Sequence, residues 1–309
     1  MTSSSTHVVL GGNGIVGRET VRALLDRGLD AASVGRRPAS VDGVRNIRAD
    51  LLDAGAVKRA VAGADVAYLT AGLPYSARIW GEQWPVIVRN AIAAALAHDT
   101  HLVYFDNVYA YGRVDGPMTE QTPIRPTSRK GRVRAGAIDL LDRAAAEQGL
   151  VRTVARSADF YGPGATTSVF NTYAVDRIVA GRAGSWLFDG DQPHSMTYTP
   201  DIGAALAILG TQPAARGRTW HLPTAPALTG RRYLELAGGS GRIMGTGTIR
   251  LGALVNSGAR ETLEMAYQYT APYLFDSTAF ETTFALAPTP SVDGIAASLD
   301  AARAARPAR

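Results

Sequence analysis

The chain has 309 residues, 46% of them hydrophobic and 19% charged, which is enough apolar material for one large or two unequal domains around a buried core. No apolar run approaches the roughly 18 residues that a bilayer crossing requires. The absence of cysteine excludes disulfides and thiolate metal sites, and the net charge of +5 comes from scattered cations, not from the dense basic tract that nucleic acid binding would call for. The opening MTSSSTH lacks the basic and apolar regions of a signal peptide, so a cytoplasmic protein with neither a membrane nor a nucleic acid partner is expected.

From His7 to Gly35 a short β-branched run (HVVL) is followed by a glycine-rich turn (GGNGIVG), an amphipathic segment (RETVRALLDRG) and a second apolar run (AASV), the pattern of a β-α-β unit. The alternation continues with NIRAD as strand, AGAVKRAVAG as helix, DVAYLTAG as strand and a helix through WPVIVRNAIAAALAH. HLVYFD, VRAGAIDLLDRAAAEQG and VRTVARS then read as strand, helix and strand. Parallel strands need long crossovers, so the expected fold is α/β, a Rossmann-type doubly wound parallel sheet. After Tyr161 the elements shorten and Gly/Pro stretches such as DGDQP and PTAPALTG separate them. Residues 1–160, with about 190–222, are expected to form a nucleotide-binding domain, and residues 161–189 and 223–309 a smaller C-terminal substrate domain.

Gly11, Gly14 and Gly17 stand between the first strand and the first helix. There a backbone without Cβ atoms can approach a pyrophosphate, and the free N–H groups of Asn13, Gly14, Ile15, Val16 and Gly17 favour an anion. At the end of the second strand, where an acidic residue would serve the ribose hydroxyls of NAD, the chain reads SVGRRP. Arg36 and Arg37 suit a 2′-phosphate, so NADP(H) is favoured, with NAD(H) the alternative. Asp50 and Leu51 are expected near the adenine, and Ala71 and Gly72 beneath the cofactor. His101, His194 and His221 are too dispersed to suggest a metal site.

With GGNGIVG, AD-L at 49 to 51, LTAG, YFDNVYAYG and RSADFYGPG in this order, the chain resembles an extended short-chain dehydrogenase/reductase of the NAD-dependent epimerase/dehydratase family. The resemblance runs over the whole chain and includes SMTYTPDIGAAL and YQYTAPYLFDS. It implies a nicotinamide cofactor, a small-molecule substrate, a homodimer, and Asp159 and Tyr161 near the nicotinamide. It also implies a Ser or Thr after the fifth strand and a Tyr-x-x-x-Lys pair opening the next helix, with Tyr moving the proton. Here Asp106 and Asn107 stand at the hydroxyl position, and Lys130 and Arg134 at the pair.

Residues four apart share a helix face, so Lys130 and Arg134 can still address one site, Arg134 at the cofactor ribose. Arg129, Arg132 and Arg134 would favour the neutral amine of Lys130, which makes it a candidate general acid or base and a cofactor contact. Tyr111, Tyr109, Asn107 and Asp106 are the other candidates for proton transfer or carbonyl polarisation. Three functions remain open: an NADP(H)-dependent oxidoreductase of a carbonyl or conjugated enone in a small metabolite, a cofactor-binding regulatory protein without turnover, and a redox-neutral epimerase, dehydratase or isomerase.

Overall fold

The apolar runs of the sequence lie side by side in one parallel sheet. The computed structural model describes residues 6–239 and 241–306, so the readings of residues 1–5 and of the last three residues lie outside the described residues. In chain order the first half is β1 (Thr6–Leu10), α1 (Ile15–Asp26), β2 (Asp30–Gly35), β3 (Arg45–Arg48), α2 (Ala54–Val61), β4 (Val66–Leu69), α3 (Ala77–Ala97), β5 (His101–Asn107), α4 (Arg129–Gln148) and β6 (Arg152–Ser157). The second half is β7 (Asp159–Tyr161), α5 (Asp176–Val179), β8 (Ser185–Leu187), β9 (Pro193–His194), β10 (Met196–Tyr198), α6 (Thr199–Thr211), β11 (Thr219–His221), β12 (Leu228–Thr229), α7 (Gly230–Leu236), β13 (Arg242–Met244), α8 (Thr246–Ala253), α9 (Ser257–Leu263), α10 (Thr278–Phe284) and α11 (Ser291–Ala304).

Seven strands pair in the order β11-β6-β5-β4-β1-β2-β3, every neighbouring pair parallel. The order reverses between β1 and β4, and that switch point opens a crevice beyond the carboxyl ends of the strands. Both faces of the sheet are covered, which explains why the strands are apolar on both sides. On one face Val57, Trp84, Val88, Leu141 and Tyr104 pack between α2, α3, α4 and the sheet. On the other, Val21, Leu24, Ile202, Leu206 and Trp220 join α1 and α6 to it.

The smaller region has its own core of Phe170, Trp186, Tyr233, Ile249 and Ile295, around two-stranded pairings such as β8 with β13. The cores cross the boundary expected from sequence on both sides, since Met196, expected with the larger domain, packs in this smaller core. Phe280 and Phe284 of α10 pack on Trp220 of β11, with ring centroids 6.2 and 4.8 Å apart, so this part of residues 223–309 belongs to the core of the larger layer. α3 begins at Ala77, seven residues before the apolar run that announced it, because Ser76 caps it by accepting from the Ile79 N–H. Among the described residues no helix is long and apolar enough to cross a membrane.

Candidate active site

The glycine turn, the ends of β2 and β3 and the loop after β4 line an open cleft that includes Gly11, Asn13, Gly14, Arg36, Arg37, Asp50, Leu51, Ala71 and Gly72. Two glycines are required by the packing. Gly11 has φ +92°, and a Cβ there would lie 2.7 Å from Ala71 Cα, while a Cβ on Gly17 would strike the Gly11 carbonyl. The turn therefore sits directly against the segment after β4. Gly14 is the N-cap of α1 and provides no side-chain acceptor, so the first-turn N–H groups of Ile15 and Val16 are left for an anion.

The side chain of Asn13 organises the cleft wall. Its amide donates to the carbonyls of Arg37 and Pro38 at 2.7 and 2.8 Å, and its oxygen accepts the Ser40 N–H at 3.1 Å, which ties the glycine turn to the arginine loop. Arg36 and Arg37 are exposed at the cleft, and neither forms an ion pair among the described residues. Asp50 holds its own turn by accepting the Leu52 N–H at 3.0 Å. The Val16 side chain is buried in the α1–α6 core, not in the cleft. Gln83 and Ile87 of α3 also line the cleft, and sequence reasoning missed them because nothing local marks which face of a long helix meets a crevice. The uncapped helix, the glycine contacts and the free arginines fit a dinucleotide phosphate chain.

The residues expected to carry the chemistry divide into two groups. Asp106 on β5 is fully buried, accepts from Arg156 Nε at 3.0 Å, is ion-paired with Arg156 Nη2 at 3.0 Å, and lies 3.7 Å from Arg134 Nη1. Arg134 donates to the Tyr104 hydroxyl at 2.8 Å and its guanidinium covers Trp84 at 4.1 Å and Trp80 at 5.0 Å. Arg134 is thus committed to the layer between α3, α4 and β5, a correction to its expected place at the cofactor ribose. The Tyr111 hydroxyl is 2.7 Å from His221 Nε2 and 3.0 Å from the Thr119 carbonyl, and Arg156 lies over its ring at 4.5 Å. Burial, reinforced by Arg156, pushes the His221 imidazole down to about 3, so the ring is neutral and its Nδ1 donates to the Asp276 carbonyl at 2.8 Å. Tyr111 ties β11 to the turn after β5 and does not face the cleft lining. Asn107 turns its side-chain oxygen to the Tyr109 N–H at 3.0 Å, shaping the loop after β5.

Lys130 is also not where its neighbours in sequence suggested. Ser128 caps α4 by accepting the Gly131 N–H, which buries Lys130 in the first turn with 0% exposure. Its ammonium pairs with Glu261, donates to Glu264 Oε2 at 2.9 Å and to the Glu261 carbonyl at 3.1 Å, and lies over the Tyr75 ring at 4.5 Å. The charges facing it are carboxylates, not the flanking cations: Arg132 is exposed and Arg134 turns away. Burial opposes the ionisation of Glu264, but the hydrogen bond and charge of Lys130 and the N–H groups of Lys130 and Arg129 outweigh it, so this carboxyl lies below its usual value. Glu261 in turn accepts the Ala77 N–H at the start of α3 at 3.1 Å. Two carboxylates from α9 and the residue just after it thereby fill the N-termini of both α3 and α4.

Beside this lock lies a group that the sequence revealed only in part. Asp159 at the start of β7 accepts from His194 Nε2 at 3.1 Å and from the Tyr269 hydroxyl at 3.0 Å, and its side chain keeps 19% exposure. His194 is stacked between Tyr269 and Tyr273, with centroids 4.6 and 4.3 Å away. The Tyr109 hydroxyl is 3.4 Å from that of Tyr75, and its ring stacks on Trp80. Burial, with Tyr75 and Asp159 adding to it, holds the Tyr109 phenol well above its ordinary value. Asp159 belongs to this tyrosine cluster and is absent from the dinucleotide cleft lining; Tyr161 is buried in the smaller core. The cleft lining reaches Leu73, and Tyr75 follows two residues on.

A family model described as the NAD dependent epimerase/dehydratase family matches residues 7–222. No curated protein matches the sequence. Among solved structures, a UDP-glucose 4-epimerase of Thermus thermophilus in complex with NAD is 19% identical with a TM-score of 0.76, covering 97% of this chain and 100% of that one. The dTDP-glucose 4,6-dehydratase DesIV of Streptomyces venezuelae is 20% identical with a TM-score of 0.80, covering 97% and 98%. A short-chain dehydrogenase/reductase superfamily protein of Agrobacterium tumefaciens with bound NAD is 16% identical with a TM-score of 0.74, covering 97% of each. At these identities the structures share the fold, and the family match extends over most of the chain. The chain belongs to the NAD dependent epimerase/dehydratase family of enzymes.

Proposed function

We propose that the protein is an NADP(H)-dependent oxidoreductase that acts on a carbonyl or conjugated enone of a small metabolite. The observation that carries the cofactor preference is the pair Arg36 and Arg37, exposed at the cleft after β2 with no carboxylate partner among the described residues. The glycine turn and the first-turn N–H groups of α1 hold the pyrophosphate, and the two arginines hold the 2′-phosphate through charge-assisted bonds. NAD(H) fits the same cleft without that last contact. When bound, the nicotinamide supplies or accepts hydride.

The proton is assigned to Tyr109. Its hydroxyl lies 3.4 Å from that of Tyr75 beside Lys130 and, like any phenol, carries a proton at neutral pH that it can give to a carbonyl oxygen during reduction. In this reading Lys130 positions Tyr75, while Asp106, Asn107 and Tyr111 support the loop that carries Tyr109. A panel of small ketones, aldehydes and enones, followed by NADPH absorbance, tests the reading. NADPH that binds tightly and is oxidised by no member of the panel contradicts it.

Family membership favours a second reading, a redox-neutral epimerase or dehydratase reaction in the same site. It predicts product formation, seen by mass spectrometry and NMR, without net NADPH consumption.

A further inference from the structure

A second cavity lies between the loop after β5, residues 112–118, and the segment that follows α9, residues 267–274. Both walls are held in place by the protein itself. Gly112 has φ +72°, and a Cβ there would strike the Arg125 carbonyl, so the loop leaves β5 along one path. At its far end the Met118 N–H donates to the Leu274 carbonyl at 2.8 Å and the Met118 carbonyl accepts the Asp276 N–H at 2.9 Å, which joins the two walls. The Tyr273 N–H donates to the Pro193 carbonyl and the Ser195 N–H to the Tyr273 carbonyl, each at 2.8 Å.

Apart from the phenols of Tyr267 and Tyr273, the polar side chains of the lining are Arg113 and Gln268. Arg113 is exposed and forms neither an ion pair nor a hydrogen bond among the described residues. Gln268 is 3% exposed, yet its side-chain amide also has no partner among them. Such an enclosed donor is satisfied by water or by a ligand. No carboxylate lines the cavity: Asp115 of the same loop is exposed and outside the lining, and Asp159 is engaged by His194 and Tyr269. Tyr109 packs on the apolar cluster that holds Met118 and Tyr273, so the cavity adjoins the phenol assigned to proton transfer.

We infer that this cavity is the acid end of the substrate site: the substrate is a small carbonyl compound with one carboxylate, which Arg113 and Gln268 hold while the carbonyl faces Tyr109. A guanidinium presents a planar fork that meets a carboxylate in two parallel bonds, and the amide adds a neutral donor. One cation balances one negative charge, whereas a diphosphate would leave charge uncompensated in an otherwise uncharged lining. Reduction moves hydride from NADPH to the carbonyl carbon and the Tyr109 proton to its oxygen, giving a hydroxy acid and NADP⁺. That step rests on the oxidoreductase reading; recognition of the acid group does not.

The test is calorimetric titration of the full chain, saturated with NADPH, with acetoacetate, levulinate and phenylpyruvate and with the methyl ester of each. NADPH absorbance is followed in parallel. Wild type is compared with Arg113→Gln and Arg113→Lys, both at an exposed position and both checked for native circular dichroism. The result expected is that at least one acid binds about 10- to 100-fold more tightly than its ester, the worth of a charged hydrogen bond, and that Arg113→Gln removes this difference without changing NADPH affinity. Arg113→Lys, which keeps the charge and loses the fork, retains part of it. Acids that bind no better than their esters, a preference that survives in Arg113→Gln, or no binding of any acid overturns the inference, as does inorganic phosphate binding more tightly than every acid. Arg113-dependent acid binding without NADPH oxidation supports the acid site and counts against the oxidoreductase reading, so the two failures are distinguishable.

Discussion

The ammonium of Lys130 donates to Glu264 Oε2 at 2.9 Å, and the other oxygen of the same carboxylate accepts the N–H groups that open α4. A helix start and a buried cation are thereby held by one side chain 134 residues away.

Removing the buried cation from this lock leaves the half-buried Glu261 and Glu264 without the charge that pairs them. Lys130→Met is expected to cost about 3–5 kcal/mol of stability, the usual effect of breaking one side of a buried pair. Urea denaturation measures it; a loss below about 1 kcal/mol, the worth of a surface pair, would contradict the burial. Because the Glu264 carboxyl is depressed in the folded state, its contribution is present above its unfolded pKa and lost as pH falls through the folded value.

Tyr109→Phe keeps the ring on Trp80 and removes only the hydroxyl that faces Tyr75. The expected outcome is kcat lowered by about 10²–10⁴-fold with NADPH affinity unchanged. Tyr111→Phe, by contrast, is expected to lower the melting temperature through the lost contacts to His221 and Thr119 while kcat stays within about threefold, since a neutral hydrogen bond contributes only ~1 kcal/mol. Steady-state kinetics and thermal melts on the two variants separate the roles.

His221 is pushed down to about 3 first by burial and then by Arg156, and His101 to about 4 first by burial and then by Arg216. Both titrate below the ordinary imidazole value of 6.5, so the unfolded chain takes up protons before the folded one does. Stability is complete above pH ~6.5 and falls as pH drops from there toward the folded values, by up to about 1.4 kcal/mol per pH unit for each imidazole. Denaturation midpoints measured between neutral and mildly acid pH should show this slope, and His221→Asn should flatten it at the cost of lower stability at neutral pH.

The parts of the site written in neighbouring residues were legible from sequence. GGNGIVG announces its turn because Gly11 and Gly17 are forced by contacts within or next to the β-α-β unit, and Arg36 and Arg37 follow the second strand by position alone. The pairing of Lys130 with Glu261, of Asp159 with Tyr269 and of Tyr111 with His221 joins residues more than 100 apart, and no local spacing encodes it. The same distance explains why the charge around Lys130 read as cationic. Its sequence neighbours on α4 point outward or toward Trp80 and Trp84, and the carboxylates that face it arrive from α9 and the residue after it.

In the proposed function Arg36 and Arg37 hold the phosphate that distinguishes NADP(H) from NAD(H). Titration of NADPH and NADH into the wild type and into Arg36→Ala/Arg37→Ala tests this most directly. The account predicts that NADPH binds the wild type more tightly, and that the double substitution weakens NADPH by about 10- to 100-fold, the worth of one or two charged hydrogen bonds, while leaving NADH nearly unchanged. Equal affinity of the wild type for the two cofactors, or equal loss of both in the variant, would contradict it.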